Sequence, residues 1–251
     1  MKISIREFST YRETITAALD EIGADEVLAK ERRILIKPNL VNASSHPVTT
    51  AVECCEAIIE YIRACSAAEI VVAEGCGDAV LETDQIFSRL GYDELVEKYN
   101  VSLLDLNHAP LTKKHNPNCR VFPDMMLPDI AFSHYIISVP VLKAHSLATI
   151  TGALKNMMGF APPKYYSGNY GTWKKAVFHN QMHQSIDDLC CYIRPDLSVV
   201  DASIGLADFH LGGNHCNPPV NKIIAGYDAI EVDRKSALLL GIDWRDVPHL
   251  S

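Results

Sequence analysis

The sequence predicts an α/β fold, a mainly parallel sheet with helices on both faces. Short apolar, β-branched runs alternate along the chain with stretches of helical spacing. Polar residues collect just after the carboxyl end of each of those runs. The chain has 251 residues, of which 48% are hydrophobic and 22% charged, enough for a sizeable core in one α/β domain. That alternation, rather than strands grouped together, argues for crossover connections and a parallel sheet.

The elements follow in order. Ile34 to Lys37 (ILIK) reads as a first strand, 52–64 as a helix, and Glu69 to Ala73 (EIVVA) as a second strand, completing a βαβ unit. An acidic helical stretch, 87–99, leads to a third strand, Val101 to Leu106 (VSLLDL). The following segment is full of turn formers, so residues 1–251 read as a single domain with a lobe boundary expected near 107–128. Strands are expected at His134 to Val139, Leu197 to Asp201 and Asn221 to Ala225, and helices at 179–191 and 229–240. Two connections are long, 110–128 and 160–173, and loops of such length in a compact domain are usually functional or disordered. In the second, Tyr165, Tyr166, Tyr170 and Trp173 are placed either to cover a pocket or to pack on one another.

A formal net charge of -8 gives no bulk attraction to phosphate backbones or anionic lipid, which argues against nucleic acid and membrane surfaces as partners. The amino terminus lacks the layout of a secretory signal, and no run approaches the roughly 20 apolar residues of a membrane span. A cytoplasmic protein is expected. The eight cysteines include two adjacent pairs and no C-x-x-C, so no zinc ribbon or iron–sulfur cradle is written here. They are expected to be reduced and mostly buried.

The strand exits carry the candidate site: Lys37 and Asn39 after the first strand, Glu74 with Gly75 and Gly77 after the second, Asp105 and Asn107 at the third, Lys143 and His145 after IISVPVL, and Asp201 at the end of LSVVD. In open α/β sheets ligands bind outside those ends, where loops and helix amino termini converge, although Asp and Asn also cap helices. The densest stretch, 143–159 (KAHSLATITGALKNMMG), sets Lys143, His145, Lys155 and Asn156 among small and apolar residues. A buried, unpaired ammonium is too costly to hold without a partner, so these lysines are paired internally or aimed at an anion. The Walker pattern is absent, and Gly75-Cys76-Gly77 is only part of a dinucleotide fingerprint. His179 and His183 stand four apart on an expected helix, followed by Asp187; with His145 they would make a metal site with an open position. Asn180 stands where a zincin needs Glu, and general acid–base work by the same histidines is the other reading. His210, His215 and Cys216, around a double glycine, fit either soft-metal ligands or an exposed turn.

The order KPN (37–39), the VVAEG exit, GY (91–92), LLDLN (103–107), PVLKAHSLATITGALKNMMGF (140–160), His179, RPDLSVVDA (194–202) and AIEVDRKSALLLG (229–241) resembles the family called domain of unknown function 362. The resemblance spans nearly the whole chain. It marks Lys37, Asn39, Glu74, Lys143, His145, Lys155, Asn156, His179 and Asp201 as the family's polar signature without giving their roles. Some relatives are described as iron–sulfur proteins because a ferredoxin module accompanies the domain, and no such module occurs here, so no cluster of the chain's own is expected. Two readings follow. In the first, the chain is an enzyme, with a redox role open to it given those cluster-bearing relatives, in which Lys37, Lys143 and Lys155, with Asn39 and Asn156, orient a small anion. His145 and His179 then transfer protons or, with His183, hold a divalent transition metal, while Glu74 or Asp201 orients them. In the second, it is an accessory module for an iron–sulfur redox partner. A third, purely structural outcome is a polar core network.

Overall fold

The computed structural model describes residues 2–168 and 174–251. Eleven strands form among them: β1 (Ile3–Glu7), β2 (Arg33–Pro38), β3 (Glu69–Glu74), β4 (Ser102–Asp105), β5 (Leu111–His115), β6 (Asp124–Pro128), β7 (Tyr135–Val139), β8 (Val141–His145), β9 (Thr149–Thr151), β10 (Leu197–Leu206) and β11 (Lys222–Gly226). Nine belong to one sheet, whose main path runs β1-β11-β10-β7-β2-β3-β4, with β8 on β10 and β9 on β8. The pairs β2–β3, β3–β4, β2–β7, β7–β10 and β8–β10 are parallel, and β1–β11, β10–β11 and β8–β9 antiparallel.

The helices are α1 (Tyr11–Ile22), α2 (Ala24–Leu28), α3 (Val52–Cys65), α4 (Thr83–Arg89), α5 (Asp93–Tyr99), α6 (Ala153–Asn156), α7 (Pro163–Tyr166), α8 (Met182–Cys190) and α9 (Ala229–Leu239). Successive strand side chains point to opposite faces, and the sequence exploits this. Ile34, Ile36, Ile70, Val72, Ile137 and Val139 pack with α1, α3, α4 and α5 on one side. Leu35, Val71, Ala73 and Ile136 pack with α6, α8 and α9 on the other. Both faces are therefore covered, and the central strands read as unbroken apolar runs for that reason.

Three segments differ from expectation. β1 and α1 were not anticipated; β1 is a five-residue edge strand, ISIRE, whose last three residues are all exposed, a weak signal in a single sequence. The long connection 110–128 is largely a β5–β6 hairpin, paired from Leu111↔Pro128 to His115↔Asp124. Its Met125 and Leu127 enter the same core as α8. Lys143 and His145 lie within a strand instead of after one, because Pro140 interrupts the ladder and β8 resumes pairing on β10.

The chain turns back at β2. From β2 the order runs through β3 to β4 on one side, whereas β7 and β10 lie on the other. Such a reversal opens a crevice at the carboxyl ends of the strands.

Candidate functional site

A cleft occupies that crevice, with about 720 Å3 of empty space including its open mouth. Its walls come from the exits of β2 (Asn39, Val41), β3 (Glu74, Gly75, Gly77) and β8 (His145), from Lys155 to Gly159 around α6, from Lys174, Lys175 and His179, and from His210.

The floor is an ion pair. Lys37 Nζ lies 2.7 Å from Glu74 Oε1, with side-chain exposures of 0% and 3%. Lys37 also donates to Asn156 Oδ1 at 3.2 Å and to the Pro38 carbonyl at 3.1 Å. Glu74 accepts from the amides of Leu40 (3.0 Å) and Gly75 (2.8 Å). Every strong bond these charges can make is thus internal, as a buried pair requires. Asn156 completes the floor by donating to Lys37 O and Ser138 Oγ, each at 3.0 Å. Gly159 lies so close that a Cβ there would strike Glu74 Oε1 and the end of Lys37.

Four other lysines surround this floor. Lys143, almost fully buried, donates to Asn39 Oδ1 at 2.6 Å and Val48 O at 2.8 Å, and burial followed by the charge of Lys155 pushes it down to about 7. Lys175 donates to Asn107 Oδ1 (3.0 Å) and Ala161 O (2.6 Å), with burial pushing it down to about 8. Lys174 pairs with Glu82 at 2.8 Å. Lys155 lines the cleft and has no hydrogen-bond or ion-pair partner among the described residues; burial and the Lys37 charge push it down to about 8.

The imidazoles gather on the same side. His145 and His210 stack with ring centroids 3.8 Å apart. His145 Nδ1 accepts the amides of Leu147 and Ala148, both at 3.1 Å. Those two donors leave Nδ1 without a proton, so the neutral ring carries its hydrogen on Nε2. Burial, then Lys155, holds His145 far below the usual imidazole range, moves His210 down to about 3 and lowers His179. His210 Nδ1 is buried without a partner among the described residues.

The structure therefore brings together Asn39, Glu74, His145, Lys155, Asn156 and His179. Lys37 and Lys143 stand behind the walls with their ammonium groups satisfied by protein acceptors. Asp201, at 0% exposure, is outside the cleft and accepts from Tyr11 Oη, His46 Nε2 and Ser203. His179 falls in a 3₁₀ turn, 176–181, ahead of α8, so it does not share a helical face with His183. His183 instead meets His249, Nδ1 to Nδ1 at 2.7 Å. Among the described residues the ligand atoms of His145, His179 and His183 do not gather within 4.8 Å; the group that does is Glu82, Asp105 and His108, with Lys174 already bonded to Glu82. His215 is exposed, and neither it nor Cys216 joins the cleft lining. Tyr166 is core, donating to the Met126 carbonyl and packing on Phe122 and Phe178, while Tyr165 is exposed. Tyr170 and Trp173 lie outside the described residues. All eight cysteines are unpaired, five of them buried.

Sequence reasoning did not pick out Lys174, Lys175 or Asp233. Asp233 accepts the amides of Ala153 (2.6 Å) and Leu154 (3.0 Å), which fixes the start of α6 and hence the position of Lys155. Gly152 is required there, because a Cβ would overlap that carboxylate. The conspicuous acid in an otherwise apolar helical stripe, AIEVDRKSALLL, was the available signal.

No helix among the described residues is long and apolar enough to cross a membrane. A search of curated proteins gave no match. Two solved structures share the fold: a lactate racemase apoprotein from Thermoanaerobacterium thermosaccharolyticum (TM-score 0.58, 12% identity, 91% of this chain and 55% of that one) and a protein from Thermotoga maritima (TM-score 0.55, 10% identity, 92% and 58%). The chain thus spans little more than half the length of either. A family profile matches residues 34–237, which cover the sheet from β2 to α9 and every lining residue of the cleft, and the chain accordingly belongs to the family described as domain of unknown function DUF362.

Proposed function

We propose that the chain is an enzyme that binds a small carboxylate-bearing molecule in the cleft and moves a proton on it. One observation carries this reading. Among the described residues, the polar side chains of the lining left without protein partners are an ammonium, Lys155, imidazoles and the neutral Thr151 hydroxyl, while Glu74 is consumed by Lys37. An anion is the ligand that relieves such a set, despite the acidic chain as a whole, because local charges dominate within about one Debye length, ~10 Å.

The roles follow from the tautomers. His145 offers Nε2–H as a donor to ligand oxygen. His179, unprotonated at neutral pH and without a hydrogen-bond partner among the described residues, is the base. Lys155 supplies the positive charge. A metal held by His145 fits poorly, since Nε2 carries the proton whenever Nδ1 accepts two amides. The likeness to a lactate racemase apoprotein is one of fold, and a small carboxylate is in keeping with it. Unpaired thiols suit a reducing compartment, which is why we propose a cytoplasmic setting.

The test is solvent exchange. A panel of small hydroxy and oxo acids is incubated with protein in D2O, and carbon-bound deuterium is followed by NMR. The expected result is deuterium incorporation into one of them that His179→Ala abolishes. Accessory binding to an iron–sulfur partner predicts no exchange for any acid, with partner binding surviving His145→Ala.

A further inference from the structure

We propose that Lys155 forms an imine with a small oxo acid, so that the cleft is a covalent site for a carbonyl compound bearing a carboxylate. The proposal rests on the anion-binding reading above and names its substrate class and its nucleophile.

Five lysines stand in or behind the cleft walls, and four have protein acceptors: Glu74 for Lys37, Asn39 and Val48 for Lys143, Glu82 for Lys174, and Asn107 and Ala161 for Lys175. Lys155 has none among the described residues, yet its backbone is held firmly. The Asp233 carboxylate fixes the amides at the start of α6, and the next residue, Asn156, is bonded to Lys37 O and Ser138 Oγ. A chain segment held on both sides thus presents to the cleft an amine that no described residue binds. Burial and the neighbouring Lys37 charge also leave a sizeable unprotonated fraction near neutral pH, the condition under which a lysine attacks carbonyls.

The step balances without a co-reactant. The Lys155 nitrogen attacks the carbonyl carbon, a C–N bond forms, and the C–O bond breaks. The oxygen leaves as water with two of the ammonium's three hydrogens, so ammonium and carbonyl become iminium and water at constant charge. The ligand carboxylate then faces the iminium charge, and the His145 Nε2–H is the donor available to an oxygen. An iminium acidifies the adjacent C–H, which gives the unprotonated His179 a proton to accept.

The experiment uses the full chain, pyruvate as the carbonyl probe and oxalate as a carboxylate without a ketone or aldehyde carbonyl. Binding of both is measured by calorimetry. Pyruvate samples are then reduced with borohydride and mapped by peptide mass. The expected result is one reduced adduct on Lys155, absent from Lys155→Arg at an unchanged melting temperature and unaffected by Lys235→Met at an exposed lysine. Oxalate should bind and block the adduct. Pyruvate that binds without labelling Lys155, or labels exposed lysines alone, overturns the imine and leaves the anion reading standing. Failure of both acids to bind overturns the anion reading and the imine with it.

Discussion

Lys37 Nζ and Glu74 Oε1 meet at 2.7 Å beneath the cleft, on neighbouring strands β2 and β3, with neither side chain appreciably exposed. Glu74 is the one acidic side chain among the described lining residues, so this pair decides the sign of the site. Neutralised from below, the cleft faces its mouth with Lys155 and imidazoles.

Breaking the pair from one side leaves a buried charge with no counter-charge, a loss of about 3–5 kcal/mol in comparable sites. Glu74→Gln should therefore destabilise strongly in urea unfolding. Lys37→Met combined with Glu74→Gln should cost less than the sum of the single changes, because the double variant strands no charge. Strict additivity would show that the two side chains do not act as a unit.

Gly159 is placed where any Cβ would collide with that pair. Gly159→Ala is expected to cost about 1–3 kcal/mol, the range for overpacked interiors, and to weaken anion binding through displacement of Glu74. Gly91→Ala is the informative contrast. Gly91 sits at φ 80°, and a Cβ there would meet nothing within 4 Å, so its cost is backbone strain alone and the cleft should be untouched. Equal effects of the two changes on binding would remove the steric argument.

Much of this was legible in the sequence because strand exits announce themselves. Asn39, Glu74, His145 and Lys155 were picked out by their places near strand ends, and all four line the cleft; the parallel core of β2, β3, β7 and β10 was readable from its apolar runs. What the sequence could not convey was pairing. Lys37 and Lys143 look like ligand-seeking cations in one dimension, and only the fold brings Glu74 and Asn39 to within hydrogen-bond distance of them. The i,i+4 spacing of His179 and His183 suggested a shared face, but the chain there is a 3₁₀ turn until Gln181, which ends that periodicity. The hairpin β5–β6 was missed because its strand Leu111–His115 carries Lys113, Lys114 and His115, a polar run typical of an edge.

Stability should rise with pH from neutrality into the alkaline range. Lys155 and Lys143 titrate near 8 and near 7 in the folded protein, against an ordinary value of 10.5. A lysine whose folded value is depressed contributes stability that is present above its unfolded value and is lost as pH falls through the folded one. Melting temperature should accordingly climb between about pH 7 and 10 from these two groups. Lys155→Met should melt higher than the native chain at pH 6.5, by about 2–4 °C for each kcal/mol recovered in a chain of this size, with the gap closing near pH 10. A gap that widens with pH would contradict the buried-ammonium account.

His145 gives a spectroscopic prediction that needs no substrate. Its Nδ1 accepts two backbone amides while burial and the nearby Lys155 oppose protonation. The ring should therefore stay neutral as the Nε2–H tautomer down to pH 5, with one nitrogen protonated and the other not in a 15N–1H correlation spectrum. An anion entering the cleft offsets the Lys155 charge and favours the protonated form of nearby groups, so binding above pH 8 should take up a proton. Affinity should then fall up to tenfold per pH unit above that point, and the calorimetric heat should depend on the ionisation enthalpy of the buffer. An Nδ1–H signal for His145 in the free protein would break the tautomer argument and reopen Nε2 as a metal ligand.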